Sequence, residues 1–385
     1  PDPQKYQDNK IDKHSDDEVP SIAIIPFDNK GADEDVFYAY GISADLISDC
    51  SSAGLIRVAG LKDIEKLEYK TLNYEELSKK LFVRYITQGT LWKMGDMFQL
   101  SVELYDTKDK KVVWSDRWEE SWDNLSTIKG SLSDGLLKAL DTKPKVEQKV
   151  ETTNPEAYGY YLRAKHKYEK RENTNDTGIA RGLFKKAIEL DDNLISAKVL
   201  LGMTYREMGD YDKAMEIYTS ALKQAEELGD KYGIGTSLNN MGGVHAEKGD
   251  LDTALDYLER PLAIAQNLVD KYWLGLSLMG IGNVHLYKGD IDTALDYLER
   301  SLAIAEERGD KYGMGFRLMS IGNVHLDKGD IDTALDYLER SLAIDEELGD
   351  KEGMRFRLKC IGNVHVDKGD LDTALDYLER SLAIA

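Results

Sequence analysis

From about residue 195 to the end of the chain, apolar positions recur with helical spacing, and the whole pattern then recurs every forty residues. The stretch IGNVHLYKGDIDTALDYLERSLAIA at 281–305 returns at 321–345 with two changes, Tyr287/Asp327 and Ala305/Asp345, and at 361–385 with three changes from the first copy. Each unit reads as helix, tight turn, helix. The turn is KGD or MGD: its glycine suits the left-handed conformation that ends a helix, and the aspartate after it (Asp250, Asp290, Asp330, Asp370) suits the cap of the next. At 100° per residue, Leu278, Gly282 and His285 share one stripe of the first helix. Gly282 there allows close approach of the partner helix, with Ala294 as the small residue that meets it. Leu276, Met279, Asn283 and Leu286 form a second stripe roughly 110° away. One stripe packs within the unit, which leaves the other to line a surface shared by the stacked first helices.

The first third has a different pattern. SIAIIPF (21–27) is a continuous apolar run that predicts a buried strand, and LIRVAG (55–60) predicts another. DVFYAYGISADLISDCSS and NYEELSKKLF predict helices, and a last helix covers about 123–140. RYITQGTLWKM and MFQLSVELYDT alternate at period two around Gly95-Asp96, which predicts a hairpin continued by VVWSDRWEES. The expected layout is a polar linker at 1–18, an α/β domain at 19–141, a second linker at 142–154 and a helical array at 155–385. The array's units are expected at 155–193, 194–230, 231–270, 271–310, 311–350 and 351–385.

The spacing of Leu278, Ile281, Gly282, His285, Ala294 and Leu298 resembles the tetratricopeptide repeat (TPR), although the period of forty departs from that family's thirty-four. It is similar to the longer-helix variety of peptide-binding scaffolds such as kinesin light chain. The resemblance implies an all-α solenoid, a right-handed superhelix of about six helix pairs, behind the α/β domain. SIAIIPFDN, YGISADLI, LFVRYITQGTLW and LYDTKDKKVVWSDRW resemble the TolB N-terminal-like domain. That family commonly precedes TPR arrays in the carboxy-terminal halves of bacterial class III adenylate cyclases, winged-helix regulators and Ser/Thr kinases. This likeness implies a bacterial signalling protein with its effector outside these residues. It would lie beyond the cytoplasm behind an upstream membrane anchor, or in the cytoplasm without one.

Candidate chemistry is sparse. His245, His285, His325 and His365 recur every forty residues. Packed helices lie about 8–10 Å apart, whereas two ligands of one zinc each sit about 2 Å from it, so the ladder reads as packing; a pH-responsive ladder and a metal site are the alternatives. The GD-x-D pairs read as helix caps rather than calcium loops. Asn283, Asn323 and Asn363 lie on the second stripe, where a side chain that donates and accepts at once matches the backbone of an extended peptide. In the preceding unit that place holds Gly243. Leu276, Met279, Leu286, Tyr287, Phe316, Met319, Leu326, Phe356, Lys359 and Val366 fall on or near the same surface, with Arg317 and Arg357 beside it. So few basic residues argue against capture of acidic tails.

The net charge of −21 disfavours nucleic acid and favours basic partners. No apolar run approaches the ~18 residues of a membrane span, so direct membrane insertion is not expected. Cys50 and Cys360 have neither metal nor disulfide spacing. No nucleophile–base pair or phosphate loop stands out, so the expectation is a non-catalytic interaction and regulatory module without cofactor, its partner a protein or peptide in the groove. The alternatives are the regulatory region of a cyclase or kinase, and a purely structural scaffold. Weak self-association through the open carboxy-terminal end is also expected, because Cys360, Val364, Leu371, Leu375 and Leu382 would partly face an absent neighbour.

Overall fold

The computed structural model describes residues 19–52, 56–142, 152–268 and 271–384. The expected linker at 1–18 and most of that at 142–154 lie outside them. The amino-terminal domain is built on β1 (Ser21–Ile24), β2 (Asp28–Asn29), β3 (Arg57–Val58), β4 (Tyr85–Met94), β5 (Met97–Asp106) and β6 (Lys111–Ser121). They form one sheet in the order β3-β1-β4-β5-β6, with the short β2 beside β4. β1 runs parallel to β3 and β4, while β4, β5 and β6 form an antiparallel meander. Met94 pairs with Met97 across Gly95-Asp96, and Gly95 has φ +62°, the left-handed value a two-residue hairpin turn requires. Alternation along β5 sends Phe98, Leu100, Val102 and Leu104 into the core. The predicted strand at 55–60 shrinks to two residues. Helix α1 (Val36–Ser52) crosses the sheet, followed by α2 (Leu61–Lys66), α3 (Tyr74–Leu81) and α4 (Leu125–Ala139). α2 has no counterpart in the sequence reading.

The array has six helix pairs among the described residues: α5 (Pro155–Glu169) with α6 (Thr174–Leu190), α7 (Ile195–Arg206) with α8 (Tyr211–Leu228), α9 (Lys231–Glu247) with α10 (Leu251–Leu268), α11 (Lys271–Tyr287) with α12 (Ile291–Arg308), α13 (Lys311–Asp327) with α14 (Ile331–Leu348), and α15 (Lys351–Lys368) with α16 (Leu371–Ala383). From the second unit on, the glycine of the intra-unit turn is left-handed, with φ of +76° at Gly289 and +77° at Gly329. The aspartate after it caps the next helix: Asp330 accepts the Thr333 N–H at 3.3 Å, and Asp370 that of Thr373. A Cβ on Gly282 would stand 2.8 Å from the Leu298 side chain and 3.3 Å from the Ala294 carbonyl, so the unit closes only on glycine.

Neighbouring units are also tied by charge. Lys248 pairs with Asp212, Lys288 with Asp252, Lys328 with Asp292 and Lys368 with Asp332, each lysine reaching back thirty-six residues. The second aspartate of GD-x-D is therefore more than a helix-dipole residue.

The α/β domain and the start of the array share one apolar core. Ile42, Leu46, Leu132 and Leu136 belong to the same cluster as Tyr161, Leu162, Phe184 and Leu201. A Cβ on Gly41 would stand 2.7 Å from Leu162, so α1 and α5 touch closely. At that joint the buried Asp45 carboxylate accepts from Lys165 Nζ at 2.8 Å and Tyr158 Oη at 2.9 Å, with Lys129 Nζ at 3.6 Å. Burial pushes the Asp45 carboxyl up, but the two lysines outweigh it and hold the carboxyl at about 2.

Candidate functional site: the face of the first helices

The units place Tyr272, Leu276, Met279, Asn283 and Leu286 of α11, and their equivalents on α13 and α15, along one side of the stacked first helices. Their surroundings divide them into two groups. Met279 and Leu286 pack on Leu298, Leu302, Leu318, Ile321 and Val324, and Met319 and Leu326 pack on Leu338, Leu358 and Ile361. These four half-buried side chains hold one unit to the next. Leu276 and Asn283 are also half-buried. Asn323, Asn363, Tyr287, Phe356, Lys359 and Val366 are exposed; Tyr287 keeps 68% of its surface and Phe356 51%.

Arg317 and Arg357 depart from expectation. Both are buried, because each points between units rather than along the face. Arg317 Nε donates to Ser301 Oγ at 2.7 Å, and Arg357 Nε to Ser341 Oγ at 3.0 Å. The Arg357 guanidinium lies 5.1 Å from the Phe316 ring centre and 5.7 Å from that of Phe356, and Phe316 meets Tyr312 edge-on at 4.9 Å. Phe316 is thus part of an aromatic–cation stack and only half-exposed.

The gap in the asparagine series also has a physical account. A Cβ on Gly243 would stand 2.7 Å from the guanidinium of Arg206, which crosses from α7 to bind Glu247. The ladder starts only at Asn283 because an arginine occupies the preceding rung. An arginine at 206 where later units carry Ala246, Leu286 and Leu326 was the available signal.

The four recurrent histidines do structural work. His245, His285, His325 and His365 stack nearly parallel on Tyr257, Tyr297, Tyr337 and Tyr377 at 5.2–5.7 Å. Each Nδ1 faces the capping aspartate five residues on, at 3.1 Å for Asp250 and Asp290. The Thr293 side chain, its N–H and the His285 ring hold the Asp290 carboxyl below its ordinary value.

Stacked helix pairs with a near-constant packing half and a variable face define a helical-repeat scaffold for protein–protein interaction. The chain belongs to the tetratricopeptide repeat family, which matches residues 193–267, 233–307, 273–347 and 316–385. Among curated proteins it is similar to the putative adenylate cyclase 3 of Rhizobium meliloti, at 24% identity over 190 residues. That alignment covers 48% of this chain and 32% of the relative, so the chain spans about a third of that protein's length. Among solved structures it is similar to BtubC (BKLC) from P. vanneervenii, at 17% identity and TM-score 0.46, over 59% of this chain and 90% of that one. It is also similar to a Rap protein complexed with competence and sporulation factor, at 15% identity and TM-score 0.48, over 66% and 80% of the two chains. No helix among the described residues is long and apolar enough to cross a membrane.

Proposed function

We propose that the face formed by α11, α13 and α15 captures an extended segment of a protein partner, and that the chain is the regulatory portion of a bacterial signalling protein. The observation that carries the reading is the contrast within one repeat. The second helices are nearly invariant, while the first helices vary along the face: Tyr287, Asp327 and Asp367 at one exposed position, and the half-buried Leu276 and Phe316 and the exposed Phe356 at another. Asn323 and Asn363 are exposed on that face. Each can donate to a peptide carbonyl and accept from a peptide N–H, and Phe356, Tyr287 and Val366 supply apolar contact beside them. The likeness to a putative adenylate cyclase supports an effector of that kind, and the motifs at 20–140 support a TolB N-terminal-like domain. A kinase effector and a purely structural scaffold are the competing readings.

A photo-crosslinking residue at position 356 of the full chain identifies the captured segment. Calorimetry with that segment as a synthetic peptide then compares wild type with N323A/N363A. Loss of about 1–3 kcal/mol of binding free energy is expected if both amides contact peptide backbone. Unchanged affinity removes the ladder from the mechanism.

A further inference from the structure

The α/β domain touches the array in a second place, far along the chain from the α1–α5 joint. Asp63 of α2 is buried, and its Oδ1 accepts the backbone N–H of Tyr312 at 2.9 Å. Lys66, at the end of the same helix, donates to Asp350 Oδ1 at 2.5 Å. The Arg57 guanidinium fills the space that a side chain at Gly309 would take, and the Lys311 ammonium lies 4.2 Å from the Phe82 ring centre. Two short elements of the amino-terminal domain therefore sit on the turns that open α13 and α15. A solenoid unit normally contacts only its neighbours and behaves as a spring. Here the first pair is welded to the domain by a shared core, and the fifth and sixth are tied back to the same domain.

We infer that α2 is a latch: Asp63 and Lys66 hold the array at a closed curvature, and the latch is proton-sensitive, releasing the superhelix as pH rises. The latch reaches the proposed binding face through one run of contacts. Tyr312, whose N–H Asp63 accepts, meets Phe316 edge-on; Phe316 and Phe356 flank the Arg357 guanidinium; Arg357 faces Asp345 at 3.4 Å. The latch does not depend on that face binding a peptide, because its contacts form without one.

The charges around Asp63 set the sign. From the turn before α13 it is faced by Asp310 and Lys311, with Arg308 at the end of α12 paired to Asp310 at 3.9 Å. Lys311 is itself engaged by Glu347 of α14. Lys66 lies on its own helix, opposite Asp350 at the head of α15. Burial and then Asp310 push the Asp63 carboxyl up to about 7, against the pull of the Tyr312 and Gly60 N–H groups and Lys311. A released α2 returns that carboxyl toward its ordinary value of 3.8. The closed form thus binds the proton more tightly, so closure is favoured as pH falls and weakened as pH rises toward 7. Between pH 8 and pH 6 the ratio of closed to open forms rises about tenfold.

The test is small-angle X-ray scattering on the full chain at pH 6 and pH 8, with circular dichroism to confirm that every variant keeps its helices. Wild type is expected to be more compact at pH 6. D63N, which keeps the acceptor oxygen without the charge, is expected to be compact at both values. K66D is expected to extend the particle, and K66D/D350K to restore its compactness. Identical scattering by wild type and folded K66D overturns the latch. A wild-type pH response that survives unchanged in D63N overturns the role of Asp63.

Discussion

Gly282 shows how much one missing methyl decides. Its place in the last five of the six units is filled by glycine, at 202, 242, 282, 322 and 362, and a side chain there meets a neighbour at or below 3.2 Å in each. At 282 that neighbour is Leu298, itself fully buried. G282A is expected to destabilise the fourth unit by about 1–3 kcal/mol, the usual penalty of overpacking a close-packed site. Urea unfolding followed by circular dichroism reads this as a lower midpoint or an early separate transition, since arrays lose cooperativity when one unit weakens. An unchanged curve would mean that the two helices separate without penalty. The glycine spacing was legible because close approach leaves a mark on residue type. Its partner was not: the side chain it meets is Leu298, while Ala294 presents its carbonyl. The exchange of Ala305 for Asp345 was equally visible as a letter, yet its consequence was not. Burial, and then Asp350, push the Asp345 carboxyl up to about 6 against the pull of Arg357, and this carboxylate lies next to the latch.

At the scale of the element, α10 is set apart among the described second helices by a proline inside it. Ser301 and Ser341 each donate to a carbonyl of the preceding first helix, Gly275 at 2.7 Å and Gly315 at 2.8 Å, and Pro261 replaces the equivalent serine. A proline within a helix removes one hydrogen bond and crowds the turn before it, at a cost of about 3 kcal/mol. P261S is therefore expected to stabilise α10 and its seat on α9 by up to that amount. Hydrogen exchange followed by mass spectrometry should show slower exchange in the peptides covering 251–268. Equal or faster exchange would mean that α10 already accommodates the ring without strain. The helices themselves were plain in the pattern, with turns and caps where spacing put them. Short elements were not. α2 is only six residues, LKDIEK, too few for a helical period to emerge from its neighbours. β3 retains two residues of an expected six, because only Arg57 and Val58 pair in register with β1.

Over the whole molecule, the two attachments of the α/β domain differ in strength and in response to acid. The joint at Asp45 is a buried ion cluster inside a shared core. D45A would leave Lys165 buried without its carboxylate, and breaking a buried pair in this way costs about 3–5 kcal/mol. Tryptophan fluorescence of Trp114, Trp118 and Trp122 during urea unfolding should report it as an earlier transition of the amino-terminal domain. A wild-type midpoint would show that the apolar core alone holds the joint. Because the Asp45 carboxyl is depressed to about 2, its contribution is complete above the ordinary carboxylate range near pH 4 and fades only as pH falls toward 2. Asp63 has the opposite sign and responds near neutrality. Acidification from pH 8 to pH 6 therefore acts on Asp63 of the latch while Asp45 keeps its charge; at the joint only Asp49, beside Lys129 and pushed up to about 6 by burial, begins to take up a proton in that range.

Local patterning was enough to establish the repeat, its turns and caps, the hairpin at Gly95-Asp96 and the division between a near-constant packing half and a variable face. Each of these arises from neighbours within a few residues or one period, so spacing alone records it. Tertiary structure decided which residues of that face stay free: Asn323, Asn363 and Phe356 are exposed, while Met279, Leu286, Met319 and Leu326 are drawn into the contacts between units. It also turned Arg317 and Arg357 inward and put Arg206 in the place of a fourth rung. Above all it brought Asp63 and Lys66 to Tyr312 and Asp350, roughly 250 to 280 residues away along the chain. No periodicity can encode that encounter, because it depends on the accumulated curvature of the helix pairs between them.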